Sequence, residues 1–141
     1  MDRLKYFLIS ILFVVMGTVQ SVYADEVLNL STLVTPQEVS FNTCTKFYSM
    51  PADKLFYLTM ASINANRFSI DEIQSKTGYI LFTAVNKQFL ASIVKMDSSR
   101  TLLKITPTNN VYYFPPGVVL NIFKYVDVNA GSPVTTLTVT K

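Results

Sequence analysis

The sequence predicts an α+β domain, built as an antiparallel meander sheet with two helices on one face in the order β-α-β-β-β-β-α. Apolar residues recur at every second position in several consecutive segments, and short polar turns separate these segments. Two other segments carry apolar residues at helical spacing. Because each element then has an apolar face to bury, two helices packed over one face of the sheet is the expected arrangement.

Residues 1–24 have the three parts of a secretory signal peptide. Arg3 and Lys5 precede a short apolar run over 6–15, and a small residue, Ala24, stands at the predicted cleavage point. The run is too short for a comfortable membrane span, which needs about 20 residues. We therefore expect an exported protein, periplasmic or extracellular, cleaved after Ala24 and without stable membrane insertion. An uncleaved N-terminal anchor is the alternative.

The composition of the remaining chain limits the functions that it can have. Cleavage after residue 24 removes two cations and one anion and leaves ten cations and eight anions in 117 residues. These scattered charges predict no capture of nucleic acid. The chain has no histidine, the commonest general base and metal ligand. Its single cysteine, Cys44, is available either for burial or for intermolecular pairing.

The domain is predicted to span residues 37–141, after a lead-in arm over 25–36 that is either a strand or an ordered extension. Residues 37–48 are predicted as the first strand. Its same-face residues are Val39, Phe41, Thr43 and Thr45.

A helix is predicted from about Pro51 to Asn66. Ser49 is the candidate cap, Pro51 suits the first turn, and Asp53 complements the positive helix end. The helix carries two apolar stripes on nearly opposite sides, which predicts that it is covered on both. The stripes are Phe56, Met60 and Ile63, and Leu58, Ala61 and Ala65.

Four strands with short polar links follow, and they predict an antiparallel meander. They span 67–73, 79–85, 88–96 and 101–106. A second helix is predicted over 116–129, ended by Gly131 and Pro133. The tail over 134–140 has strand propensity.

Two short motifs match those of penicillin-binding enzymes, but their context does not. Ser92 and Lys95 have Ser-x-x-Lys spacing, and Lys76-Thr77-Gly78 matches the second motif. Ser-x-x-Lys chemistry needs a helix, whereas this segment alternates like a strand and directs Ser92 and Lys95 to opposite faces. We therefore predict no catalytic residues and no enzyme activity.

The acidic residues do not predict a metal site. Asp71, Glu72 and Asp53 are too few for the 6–8 oxygens that calcium usually gathers. A solvated strand face and a helix start are the simpler interpretations of these residues. No cofactor is predicted either.

The best binding candidate is the aromatic group Tyr112, Tyr113 and Phe114, followed by two prolines. Aromatic side chains beside prolines offer rigid contact area at low entropic cost. The alternative is that two of these rings fill the core where the chain leaves the sheet.

A second hypothesis uses the apolar content, which is half of the residues in the chain. In this hypothesis the protein carries a small apolar ligand between the first helix and the sheet. The pocket would be lined by Phe56, Met60, Ile80 and Phe82.

The pattern over residues 46–130 resembles the small helix-grip domains of bacterial envelope proteins, one of which occurs in the C-subunit lipoprotein of the outer-membrane barrel-assembly machine. The resemblance lies in a strand end and Pro-x-Asp helix start over 48–56, then Phe68-Ser69-Ile70 and Gly78-Tyr79-Ile80-Leu81-Phe82. It implies a non-catalytic periplasmic domain that binds an envelope protein. The chain lacks the lipid-anchor cysteine of that lipoprotein, and no functional residue carries over.

Overall fold

The computed structural model describes residues 34–131; the predicted signal peptide, most of the lead-in arm and the tail over 134–140 lie outside them. The described elements are β1 (Gln37–Glu38), a 3₁₀ helix (Phe41–Cys44), β2 (Thr45–Tyr48), α1 (Ala52–Ala65), β3 (Ser69–Gln74), β4 (Tyr79–Ala84), β5 (Lys87–Lys95), β6 (Thr101–Pro107), β7 (Tyr113–Phe114) and α2 (Gly117–Asn129).

The predicted α+β class and element order are confirmed. Five strands form one antiparallel sheet in the order β2-β6-β5-β4-β3. β4 and β5 join through Val85 and Asn86, both at positive φ, which is the geometry of a tight hairpin turn. The meander follows from polar links too short for anything but antiparallel neighbours.

The core lies between the helices and the inner face of the sheet. Alternate side chains of β4, β5 and β6 are buried there, among them Ile80, Phe82, Phe89 and Ile105. Stacked rings run along this face, with Phe82 between Phe68 at 6.0 Å and Phe89 at 5.5 Å between centroids. The rings therefore tie β4, β5 and the residue directly before β3 into one apolar layer.

Polar contacts that the apolar stripes did not predict hold α2 against α1 and β2. Buried Ser62 on α1 donates a hydrogen bond to the carbonyl of Ile122 on α2, at 3.3 Å. Tyr48 donates from β2 to the carbonyl of Phe123, and Lys46 pairs with Asp127 at 2.6 Å. These contacts fix α2 beside α1 and the β2 edge.

Two local predictions are wrong. Residues 37–48 form not one strand but β1, a 3₁₀ turn and β2, because the Ser40 hydroxyl accepts a hydrogen bond from the Thr43 N–H and ends the extended segment. Ser49 does not cap α1, which begins at Ala52, directly after Pro51 and without a side-chain cap.

Gly78 holds the β3–β4 turn against β5. Its φ is +74°, its carbonyl accepts the Ile93 N–H at 2.7 Å, and a Cβ there would lie 2.8 Å from the Ile93 carbonyl oxygen. We expect Gly78→Ala to lower the free energy of unfolding by about 1–3 kcal/mol, since it combines a left-handed conformation with a backbone clash. Urea unfolding measures this, and a loss below ~0.5 kcal/mol would contradict the reported geometry.

Candidate binding surface

The predicted aromatic segment is held by a two-stranded antiparallel ribbon, β1 and β7. Glu38 pairs with Tyr113, and the Val39 N–H donates to the Tyr112 carbonyl at 3.0 Å. The Lys87 ammonium donates to the carbonyls of Val111 and Tyr113, at 2.6 and 3.3 Å. These bonds satisfy the backbone on this side of β7 and fix the position of its side chains.

The three predicted binding residues have three different environments. Phe114 is fully buried and meets the Phe89 ring edge-to-face, with 5.0 Å between centroids. Tyr112 is half-buried and meets the ring of Phe41 edge-on at 6.3 Å. Tyr113 is 55% exposed. Phe114 therefore fills the core, while Tyr113 presents its ring to solvent.

Sequence reasoning missed two further apolar residues at this place. Phe41 and Val111 are each 52% exposed, and the contact between Phe41 and Tyr112 joins the 3₁₀ turn to the aromatic segment. We call Phe41, Val111, Tyr112 and Tyr113 the aromatic surface. The signal for Phe41 was Ser40 three residues before Thr43, a spacing that favours a capped turn over a strand.

The four predicted ligand-pocket residues are packed largely into the core. Ile80 and Phe82 are fully buried, with Phe82 between two other rings. Met60 is partly buried against the core, and Phe56 is 7% exposed. Phe56 also lines a cleft at the edge of the core, where α1 faces the β3–β4 turn.

Two of the three acidic residues considered as cation ligands are engaged with neighbours. Asp71 accepts hydrogen bonds from the Thr83 hydroxyl at 2.6 Å and from the Gln88 amide at 3.2 Å. Glu72 accepts one from the Tyr79 hydroxyl at 2.9 Å, and this bond raises the pKa of Tyr79. Within residues 34–131, no three His, Cys, Asp or Glu side chains form a group able to hold a metal ion.

Cys44 is buried, the first of the two roles left open by the sequence. Burial raises the pKa of its thiol from 9.0 to about 11. We expect a disulfide reagent at pH 8 to label the native protein far more slowly than the urea-unfolded chain. Rapid labelling of the native protein would contradict this account.

The buried thiol also makes stability depend on pH. Because the unfolded thiol ionises from about pH 9 and the folded one only near 11, we expect the free energy of unfolding to fall as pH rises between these values.

Comparison of the chain with protein-family models, curated proteins and solved structures gives no match. Neither helix of the described region has the length and apolar character needed to cross a membrane.

Proposed function

We propose that this protein is a non-catalytic, exported protein-binding domain of the bacterial envelope, and that its partner contacts the aromatic surface. The observation that carries the proposal is Tyr113, whose ring is more than half exposed on a backbone fixed by the β1–β7 ribbon and Lys87. Phe41 adds a second ring exposed to a similar extent.

An exposed ring on a fixed backbone is well suited to protein binding. Tyrosine brings a large contact area with few rotatable bonds, so little conformational entropy is lost when a partner covers it. Tyr113 and Val111 share a parity along the chain, while Tyr112 and Phe114 have the other and contact Phe41 and Phe89. The core thus anchors the segment that offers Tyr113 to a partner.

Export and the class of partner rest on the sequence. The signal-like segment over 1–24 supports passage across the inner membrane. The resemblance of residues 46–130 to helix-grip envelope domains supports an envelope protein as the partner. The small, scattered net charge supports a protein partner over a nucleic acid.

Site-specific photo-cross-linking in the producing cell tests the proposal. A photoreactive phenylalanine analogue replaces Tyr113 in one sample and Phe47 in the other. Phe47 is the matched control, because it is also 55% exposed but lies on the outer face of the sheet. We expect one discrete adduct with an envelope protein from position 113 and none from position 47.

Two results would count against the proposal. Absence of an adduct at position 113 would remove the aromatic surface as the binding site. Equal adducts from positions 113 and 47 would show contact without surface specificity.

A further inference from the structure

A cleft of about 520 Å³ lies between the first turns of α1, the β3–β4 turn and the end of β5. Phe56 and Tyr57 come from α1 and meet edge-to-face at 5.9 Å, and Ile93 and Val94 come from β5. The hydrogen bond from the Ile93 N–H to the Gly78 carbonyl ties two of the three walls together. The cleft therefore combines apolar side chains with polar ones on connected backbone.

Two lysines from separate elements line this cleft. Lys76 belongs to the β3–β4 turn and Lys95 ends β5. Within residues 34–131 neither ammonium has an ion-pair or hydrogen-bond partner, whereas Lys46, Lys54 and Lys87 all do. Asp53 is the single carboxylate among the lining residues, so the lining carries a net positive charge.

We propose that this cleft binds a small organic anion, with its apolar body against Phe56, Tyr57 and Ile93 and its carboxylate beside Lys76 and Lys95. The volume lies within the range of about 300–1,000 Å³ that is usual for small-molecule sites. The dimensions of the cleft limit the size of the ligand, and the two lysines favour a negatively charged one. A neutral ligand of the same shape leaves both ammonium groups without a counter-charge.

This site is separate from the aromatic surface. The aromatic surface adjoins Lys87 at the start of β5, and the cleft adjoins Lys95 at its end. Nine residues at about 3.3 Å per residue place these ends roughly 26 Å apart. Ligand binding in the cleft and partner binding at Tyr113 are therefore measured independently.

Titration of the full chain with 4-phenylbutyrate, followed by amide chemical shifts, tests the proposal. The neutral control is 4-phenylbutanol, which has the same body without the carboxylate. We expect saturable shifts confined to the residues around Lys76, Gly78 and Lys95, and at least five-fold weaker binding of the alcohol. Equal binding of the two compounds, or no saturation in the cleft, would overturn the proposal.

Charge variants complete the experiment. Removal of both ammonium groups in the double variant Lys76→Gln, Lys95→Gln is expected to weaken 4-phenylbutyrate binding about five-fold, since exposed ion pairs contribute modestly to binding. The double variant Lys104→Gln, Lys124→Gln is the matched control, because both lysines lie outside the cleft and lack an ion-pair partner within 34–131. An equal loss of affinity in the control would show that the effect comes from the overall charge of the protein, and would overturn the proposal.

Discussion

Phe89→Ala is expected to lower the free energy of unfolding by about 3–5 kcal/mol, the usual cost of removing a buried phenylalanine. Phe89 is fully buried on β5 and contacts two rings, Phe82 at 5.5 Å and Phe114 at 5.0 Å. It therefore joins the core of the main sheet to the ribbon below the aromatic surface. A loss of this size is a large part of the roughly 5–15 kcal/mol that stabilises a typical domain.

Urea unfolding monitored by circular dichroism measures this loss, with Phe47→Ala as the control. Phe47 is exposed on β2, and its ring lies 5.3 Å from the Arg100 guanidinium carbon. An exposed cation–π contact contributes about 0.5–1 kcal/mol, so the control is expected to lose no more than that. Similar losses in the two variants would contradict the placement of Phe89 in the core.

Tyr113→Ala is expected to weaken partner binding at least 30-fold, which corresponds to about 2 kcal/mol, the threshold of an interface hot spot. The melting temperature is expected to change by less than about 3 °C, because the Tyr113 side chain is exposed and substitutions at such positions have small effects. The backbone bonds from Val39 and Lys87 use carbonyls that alanine retains.

Affinity of the purified protein for the partner captured at position 113 measures this effect, with Phe47→Ala as the control for aromatic exposure. An unchanged affinity in Tyr113→Ala would place the interface elsewhere. A large loss of stability would assign the Tyr113 ring to folding.

The sheet could be predicted from local patterns because its strands are consecutive. In β4 and β5 every second side chain is apolar, and those side chains, from Ile80 to Ala84 and from Phe89 to Ile93, are the ones buried. Polar turns two to five residues long separate the strands and leave only antiparallel pairing.

The ribbon could not be predicted in the same way, because its strands are only two residues long and far apart in the chain. Gln37 pairs with Phe114, and no periodicity within either segment indicates the pairing. The alternation through 39, 41, 43 and 45 suggested a continuous strand, but the Ser40–Thr43 turn interrupts it and exposes Phe41. The aromatic group was identified from composition, whereas the exposure of Tyr113 and the burial of Phe114 depend on this tertiary pairing.

The contact between the helices also depends on residues that an apolar pattern passes over. Thr59 and Ser62 are fully buried on α1. The Thr59 hydroxyl donates to the Leu55 carbonyl at 2.7 Å, and Ser62 reaches the Ile122 carbonyl. Because both hydroxyls are satisfied locally or across the helix pair, they are compatible with burial although the sequence pattern counts them as polar.

Hydrogen exchange of this protein with and without its captured partner tests the central claim most directly. The account predicts slower exchange in the partner-bound state at residues 37–44 and 111–114, which contain the ribbon and its adjoining turn. It predicts no change on the outer face of the sheet around Phe47. Protection confined to that outer face or to the two helices, with unchanged exchange in the ribbon, would contradict the claim that the aromatic surface binds the partner.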